Sequence, residues 1–422
     1  MNIKIRPKEL YRIDSKKAVA LFSCLYVLVS LNSVPLRIIP SIICAILSLL
    51  FSIIALAIAY KTNSIVITKY RLGLFFLLFV LTFYFYAPCL GHPLNIGNLI
   101  VFSGILPLLF FEQKIYYLLF RYVRKIIVFV SICSLIIFVL LFLFPQNTIP
   151  FPSFEMNPIS MTHIKHGVSY KIYAFVVTYI GYDNVIFSTL GVSRICGFMS
   201  EPGHWGVFIA FILIAELFLY NKRSWILILC GLCTFSTAFY LILAIMELYL
   251  IFITKSFQWK RYLLILLSVV LLLLIIGPEL RQSLWDMAIG RNIDVDKSLD
   301  DRTSPMGMLV WNHFLNKDNT LIKLFGFSPF SMELKGIIVV DYREIIYDCG
   351  FVGTVLVIFV LLYNLAKLNL KHLILLLSVV GLIFIHRVWM FYMPYMYAFI
   401  IIISFACNYY NCENQESLYP HD

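Results

Sequence analysis

Long apolar runs, repeated along almost the whole chain, restrict it more than any other feature. Segments near the ~20 residues that cross a hydrocarbon core recur at about 18–34, 38–60, 72–90, 96–111, 126–144, 204–220, 262–277, 349–366, 372–385 and 390–407. A soluble fold cannot hide so much apolar surface, because single cores stop growing beyond about 250–300 residues. Here 61% of 422 residues are hydrophobic and only 13% are charged. The expected class is an all-α polytopic membrane protein. Residues 224–254 are generous for one span and tight for two. The polar Thr234-Phe235-Ser236-Thr237 patch near their middle favours a turn between two short spans, which brings the expected total to about twelve.

The charge pattern orients these spans. Lys4, Arg6, Lys8, Arg12, Lys16 and Lys17 place the N-terminus in the cytoplasm by the positive-inside rule. Lys61, Lys69 and Arg71, then Lys114, Arg121, Arg124 and Lys125, then Lys222 and Arg223, and finally Lys367 and Lys371 fall on the same side. The net charge of +11 is thereby accounted for without a nucleic-acid partner. The expected organisation is five spans in 1–144, an outer loop at 145–203, spans six to nine in 204–277, a large outer loop at 278–346, and three spans with a cytoplasmic tail in 347–422. The first span reads as retained, since no small-residue cleavage site follows it.

Both outer loops exceed ordinary turn length, which marks them as functional or disordered. The first is Pro-rich, then alternating and aromatic from Val168 to Ile180, which suits a strand or a re-entrant piece packed at the surface. The second carries Lys/Arg and Asp/Glu in near balance, and Met306 to Leu315 has helical apolar spacing. Gly326 and Pro329 mark a turn in it. Ten cysteines are scattered, mostly within apolar runs. Cys230 and Cys233 form a CxxC without neighbouring ligands and read as packing residues. Glu216 and Glu247 lie near the cytoplasmic ends of their spans and read as structural.

Chemistry concentrates in two places. Arg194, Glu201, Pro202, Gly203 and His204 stand directly before an apolar helix. A guanidinium grips phosphate in a planar fork, and a helix start offers free N–H groups and a positive dipole end. The same residues also fit a surface arginine paired with Glu201 at a Pro-Gly helix start. In the second loop Arg302 follows Asp300 and Asp301, and Asp341, Arg343 and Glu344 precede Asp348 and the Gly350-x-x-Gly353 that open a span. Asp341 and Glu344 share a helical face, so either carboxylate can take a proton from a hydroxyl. They also fit a solvated helix end. His163, Lys165, His166 and Lys171 read as a headgroup-facing basic surface. Asp294-Val295-Asp296 reads as loop charge rather than a metal site, and no metal is expected.

The sequence resembles the bacterial O-antigen polymerases, relatives of the O-antigen ligases. The resemblance rests on Arg-x-x-Gly-Phe-x-x-Glu-Pro at Arg194 to Pro202, on the hairpin at Thr234-Phe235-Ser236, and on a large outer loop with Arg302 ahead of Gly350-x-x-Gly353. It implies a GT-C-like inner-membrane glycosyltransferase with a periplasmic active site, both termini cytoplasmic and no cofactor. The donor would be a glycan on undecaprenyl diphosphate and the acceptor a new lipid-linked repeat unit. Membrane lipids and a chain-length regulator protein are the other expected partners. The ligases carry a histidine shortly before the last motif, where this chain has Asp341 and Glu344; that favours polymerase over ligase. By the resemblance, Asp341 or Glu344 is the base, with Glu201 nearby, and Arg194 and Arg302, supported by His204 and Arg343, bind diphosphate. A flippase would need a charged mid-membrane cavity and internal repeats, which the sequence does not show.

Overall fold

The chain packs around one helix. In a computed structural model the described residues are 14–31, 33–86, 95–144, 149, 151–157, 169–173, 175–180, 185–187, 192–254, 267, 305–329, 331–334, 337, 339 and 341–418. The helices among them are α1 Ser15–Ser30, α2 Ser41–Lys61, α3 Lys69–Tyr86, α4 Ile96–Ser103, α5 Gln113–Leu143, α6 Pro202–Tyr220, α7 Trp225–Leu232, α8 Thr237–Phe252, α9 Pro305–Asn316, α10 Thr320–Phe325, α11 Ser331–Leu334, α12 Tyr342–Leu365, α13 Leu370–His386 and α14 Pro394–Leu418. Every residue of α6 up to Leu219 is buried. A helix apolar on all sides belongs in a core, and α6 is that core.

Five of these helices (α2, α3, α5, α6 and α12) are long and apolar enough to cross a membrane. Four shorter apolar segments accompany them: Ile96–Phe110, Thr237–Phe252, Leu370–Ile385 and Pro394–Asn408. The protein is mostly helical and built for a membrane. Exposed Ile42, Ile46, Leu50 and Ile53 on α2, with Phe76, Phe79 and Phe83 on α3, suit contact with lipid. Some hydroxyls inside the bundle bond back to their own helix, as Ser23 does to the Val19 carbonyl and Thr82 to that of Leu78, which satisfies them without water. The expected span at 262–277 lies outside the described residues, apart from Leu267 in a helical turn.

Local departures have local causes. The fourth expected span is α4 followed by a 3-10 segment, Leu106–Phe110, which has Pro107 in its first turn. Helix α5 begins well before its expected span and takes in Arg121, Arg124 and Lys125; its 31 residues extend roughly 46 Å. Residues 224–254 are two helices. The first, α7, has eight residues, on the order of 12 Å, and stops short of a full crossing. It turns at Cys233, Thr234 and Phe235, and Phe235 has φ 49°. Gly206 on α6 admits this turn: a Cβ there would meet Ser236 and Thr234 at 3.2 Å. Glu216 and Glu247 have basic partners, Arg124 and Arg223 respectively, and Glu216 also accepts from the Ser224 N–H at 2.7 Å.

The first loop adds strands to the helical class. β1 Ser153–Met156, β2 Ser169–Tyr173 and β3 Val176–Ile180 form an antiparallel sheet; β4 Val185–Phe187 pairs with β5 Val192–Ser193. The aromatic alternation is that of β2 and β3. Tyr170, Ile172 and Val177 pack with Val34 and Cys196, so the sheet covers the same end of the bundle as the α1–α2 connection.

The second loop is clasped to α12. Gly326 (φ 75°) ends α10 and Gly350 (φ 67°) interrupts α12, and their backbones touch: a Cβ on Gly350 would lie 2.5 Å from the Gly326 nitrogen. The Tyr84 hydroxyl donates to the carbonyls of Phe325 (3.1 Å) and Cys349 (2.5 Å) across this clasp. Gly353 lies against the Tyr84 ring. Thus Gly350-x-x-Gly353 divides a short, largely buried helical segment, Tyr342 to Cys349, from the apolar helix beyond it, where the sequence placed the start of a span.

Candidate functional site

The segment from Arg194 to Trp205 is a folded lock. Gly197 has φ 58° and lies on the Trp205 ring, where no Cβ fits. Phe198 packs edge-on to Trp205, ring centres 4.9 Å apart, and Trp205 donates to Cys230 Sγ at 3.3 Å. Arg194 holds the α7–α8 turn: Nε donates to the Thr234 carbonyl at 3.0 Å and Nη2 to that of Phe235 at 2.7 Å. Arg194 and the hairpin patch, separate motifs in the sequence, are therefore one interaction.

Glu201 is the N-cap of α6 and Pro202 its first residue. Proline fits there because the missing N–H is not needed. Glu201 does not cap with its side chain. Its Oε2 instead accepts from Arg387 Nη1 at 2.6 Å and lies 3.0 Å from His204 Nε2. The other His204 nitrogen is 3.5 Å from Ser200 Oγ. Arg387 ends α13, 186 residues away in sequence from Glu201, and its guanidinium lies on the first turn of α6. Gly203 makes this possible, since a Cβ there would be 2.5 Å from Arg387 Cζ. The Nε of Arg387 is buried without a hydrogen-bond partner among the described residues.

A second arginine joins them. Arg37 sits on the 3-10 turn Val34–Ile38, which is tied to the lock by the Val34 N–H donating to the Phe198 carbonyl at 3.0 Å. Tyr170 on β2 senses both charges: burial raises its phenol pKa most, Arg37 lowers it and Glu201 raises it. Buried Tyr395, at the start of α14, lies within electrostatic range of Arg387, Glu201 and Arg37 alike. Arg387 and a helix start worth about +0.5 charge meet at Glu201, and Arg37 lies within electrostatic range of the same two tyrosines. The arrangement attracts an anion. No family model, curated protein or solved structure matches the chain.

The head of α12 forms a second, acidic group. Asp341 caps the helix and accepts from the Arg343 N–H and Nε, each at 2.9 Å. Glu344 and Asp348, one turn apart, are buried. Asp348 accepts from Ser331 Oγ at 2.5 Å and from the Tyr392 hydroxyl at 3.3 Å. Burial, then the Cys349 thiol and the Asp348 and Glu344 carboxylates, hold the Tyr392 phenol well above its ordinary pKa. The 3-10 helix Val388–Tyr392 joins this group to Arg387; five such residues span on the order of 10 Å.

The structure thus brings Glu201 and His204 together and sets Arg194 beside them, facing the α7–α8 turn. Asp341, Arg343 and Glu344 gather at the other end of the short 3-10 helix. Arg302, His163, Lys165 and His166 lie outside the described residues. Lys171 is buried, its Nζ 5.6 Å from the Tyr173 ring centre, rather than spread on a headgroup-facing surface. Arg37, Arg387 and Tyr170 escaped the sequence reading, and Asp348 appeared there only as the opening of a span. One signal marks the two arginines: both fall in connections that the positive-inside rule assigns outside, where basic residues are scarce.

Proposed function

We propose that the protein is a periplasm-facing polymerase of surface polysaccharide, an O-antigen polymerase. It transfers the growing glycan from undecaprenyl diphosphate to a new lipid-linked repeat unit at the inner membrane. The observation that carries this reading is Arg387 lying on the α6 N-terminus beside Glu201 and His204, with Arg37 in electrostatic range of Tyr170 and Tyr395. A diphosphate leaving group is dianionic or more, and preorganised cations where charge develops are typically the largest catalytic contribution.

In the transfer, an acceptor hydroxyl oxygen attacks the anomeric carbon from the face opposite the diphosphate. The bond from that carbon to the diphosphate oxygen breaks, and its electron pair leaves on the phosphate. Arg387 and Arg37 neutralise that charge, with His204 and the helix dipole in support. The hydroxyl proton passes to a carboxylate at the head of α12. Both Asp341 oxygens already accept from Arg343, so Glu344 is the better base of the two. Arg194 acts through the hairpin turn and is a positioning residue. Arg302 and Arg343 remain proposed diphosphate ligands.

The reading is tested by deleting the gene and running surface polysaccharide on a gel. Collapse of the ladder to a core bearing one repeat unit supports a polymerase. Complete loss of repeat-bearing bands overturns it and moves the assignment to ligase or flippase.

A further inference from the structure

The end of the bundle opposite the candidate site holds a second cationic feature. It is built from the far ends of helices whose near ends meet that site: Lys16 begins α1, Lys69 begins α3, Lys114 begins α5 and Lys367 follows α12. Together with Arg71 and Glu112 these residues line a cleft of about 930 Å³ that has Val66, Tyr70 and Phe405 in its wall. Lys16 is neutralised by Glu112 at 2.5 Å. Among the described residues, no carboxylate lies within ion-pair distance of Lys69, Arg71, Lys114 or Lys367.

Arg71 is the unusual member. It is 4% exposed, so its charge is buried. Its Nη1 donates to the carbonyls of Val66 (3.2 Å) and Phe111 (2.5 Å), and its guanidinium lies 4.8 Å from the Phe405 ring centre. These interactions hold the group in place and leave its charge uncompensated. A buried cation of that kind is costly unless an anion completes it. Lys367, with its Nζ 5.3 Å from the Tyr70 ring, reaches over the same cleft.

We propose that this cleft is a phosphate-binding site occupied by the headgroup of an anionic phospholipid. The ligand must carry a phosphate charge, because four cations face it. It must also tolerate an apolar wall at the level of the helix ends, where lipid headgroups lie and soluble phosphate has no advantage. Basic pockets between helices at a membrane surface bind anionic headgroups by this logic. The ligand bridges α1, α3, α5 and the α12–α13 connection, so its binding stabilises the bundle.

The test uses the full chain, purified and delipidated, with thermal unfolding followed in mixed micelles. Phosphatidylglycerol and cardiolipin should raise the midpoint, and phosphatidylcholine or inorganic phosphate should not. In Lys69→Gln/Lys114→Gln/Lys367→Gln, all at exposed positions, apparent affinity for phosphatidylglycerol should fall on the order of a hundredfold, at about fivefold per lost cation. The matching triple Lys→Arg variant should keep it. Stabilisation by inorganic phosphate alone overturns the lipid assignment. An equal response to phosphatidylcholine, or an unchanged response in the glutamine variant, overturns the site. The wild-type titration decides the matter even if the glutamine variant fails to fold.

Discussion

Replacing Gly203 by alanine separates function from stability at the proposed diphosphate site. Glycine to alanine within a helix ordinarily stabilises, by up to about 1 kcal/mol and less in the first turn. At this position the new Cβ would sit 2.5 Å from Arg387 Cζ and 3.0 Å from Nε. Nη2 would lie nearer still, and such contacts settle near ~3.5 Å, so the guanidinium must retreat by about 1.5 Å. It can do so, because it is the far end of a flexible side chain. The 2.6 Å bond from Arg387 to Glu201 then opens, and the cation leaves the α6 N-terminus. Losing a preorganised cation costs ~2.7–4 kcal/mol in the transition state, or about 10²–10³-fold in rate. The expected outcome is near-complete loss of long chains on a polysaccharide gel, with a thermal unfolding midpoint equal to or above wild type. A variant with full-length ladders and normal stability would refute the placement of Arg387 in catalysis.

Three further substitutions probe other parts of the account. Arg194→Ala removes two charge-assisted bonds to the α7–α8 turn and should cost about 2–4 kcal/mol of stability, with activity per folded molecule largely retained; normal stability combined with lost specific activity would instead make Arg194 a diphosphate ligand. Gly350→Ala puts a Cβ 2.5 Å from the Gly326 nitrogen at a φ of 67°, and neither backbone can yield, so a loss of at least ~2 kcal/mol is expected by unfolding in detergent. Glu201→Gln keeps the shape but frees the positive charge of Arg387. It should tighten inorganic pyrophosphate binding in calorimetry, and unchanged or weaker binding would remove Glu201 as the counter-charge that an anion must displace.

The sequence made the spans readable because apolar runs near membrane length allow few alternatives. It also located the break at Thr234-Phe235-Ser236 and the start of an apolar helix near Gly350, but not the helix end at Gly104 within the expected span 96–111. Strands in the first loop were legible as alternation at Val168 to Ile180, although their pairing was not. The site was half legible. Glu201, Pro202, Gly203 and His204 are contiguous, and a helix start announces itself. Arg387 and Arg37 each stand alone in apolar surroundings, and only packing around α6 brings Arg387 to Glu201 and Arg37 into range of Tyr170 and Tyr395. Arg194 looked like a ligand because a guanidinium suits phosphate; backbone carbonyls of a tight turn suit it equally, and spacing cannot tell the two apart. Gly203 shows its purpose only against a side chain 184 residues further on.

The central claim is that this chain elongates lipid-linked glycans by displacing a polyprenyl diphosphate. Its most direct measurement is reconstitution of the purified protein in liposomes with a single species, the undecaprenyl-diphosphate-linked repeat unit. The expected result is lipid-linked dimers and longer chains, with one undecaprenyl diphosphate released per bond formed and none from Arg387→Ala. A folded wild-type protein that forms no dimer, or an Arg387→Ala protein that elongates as well as wild type, would contradict it.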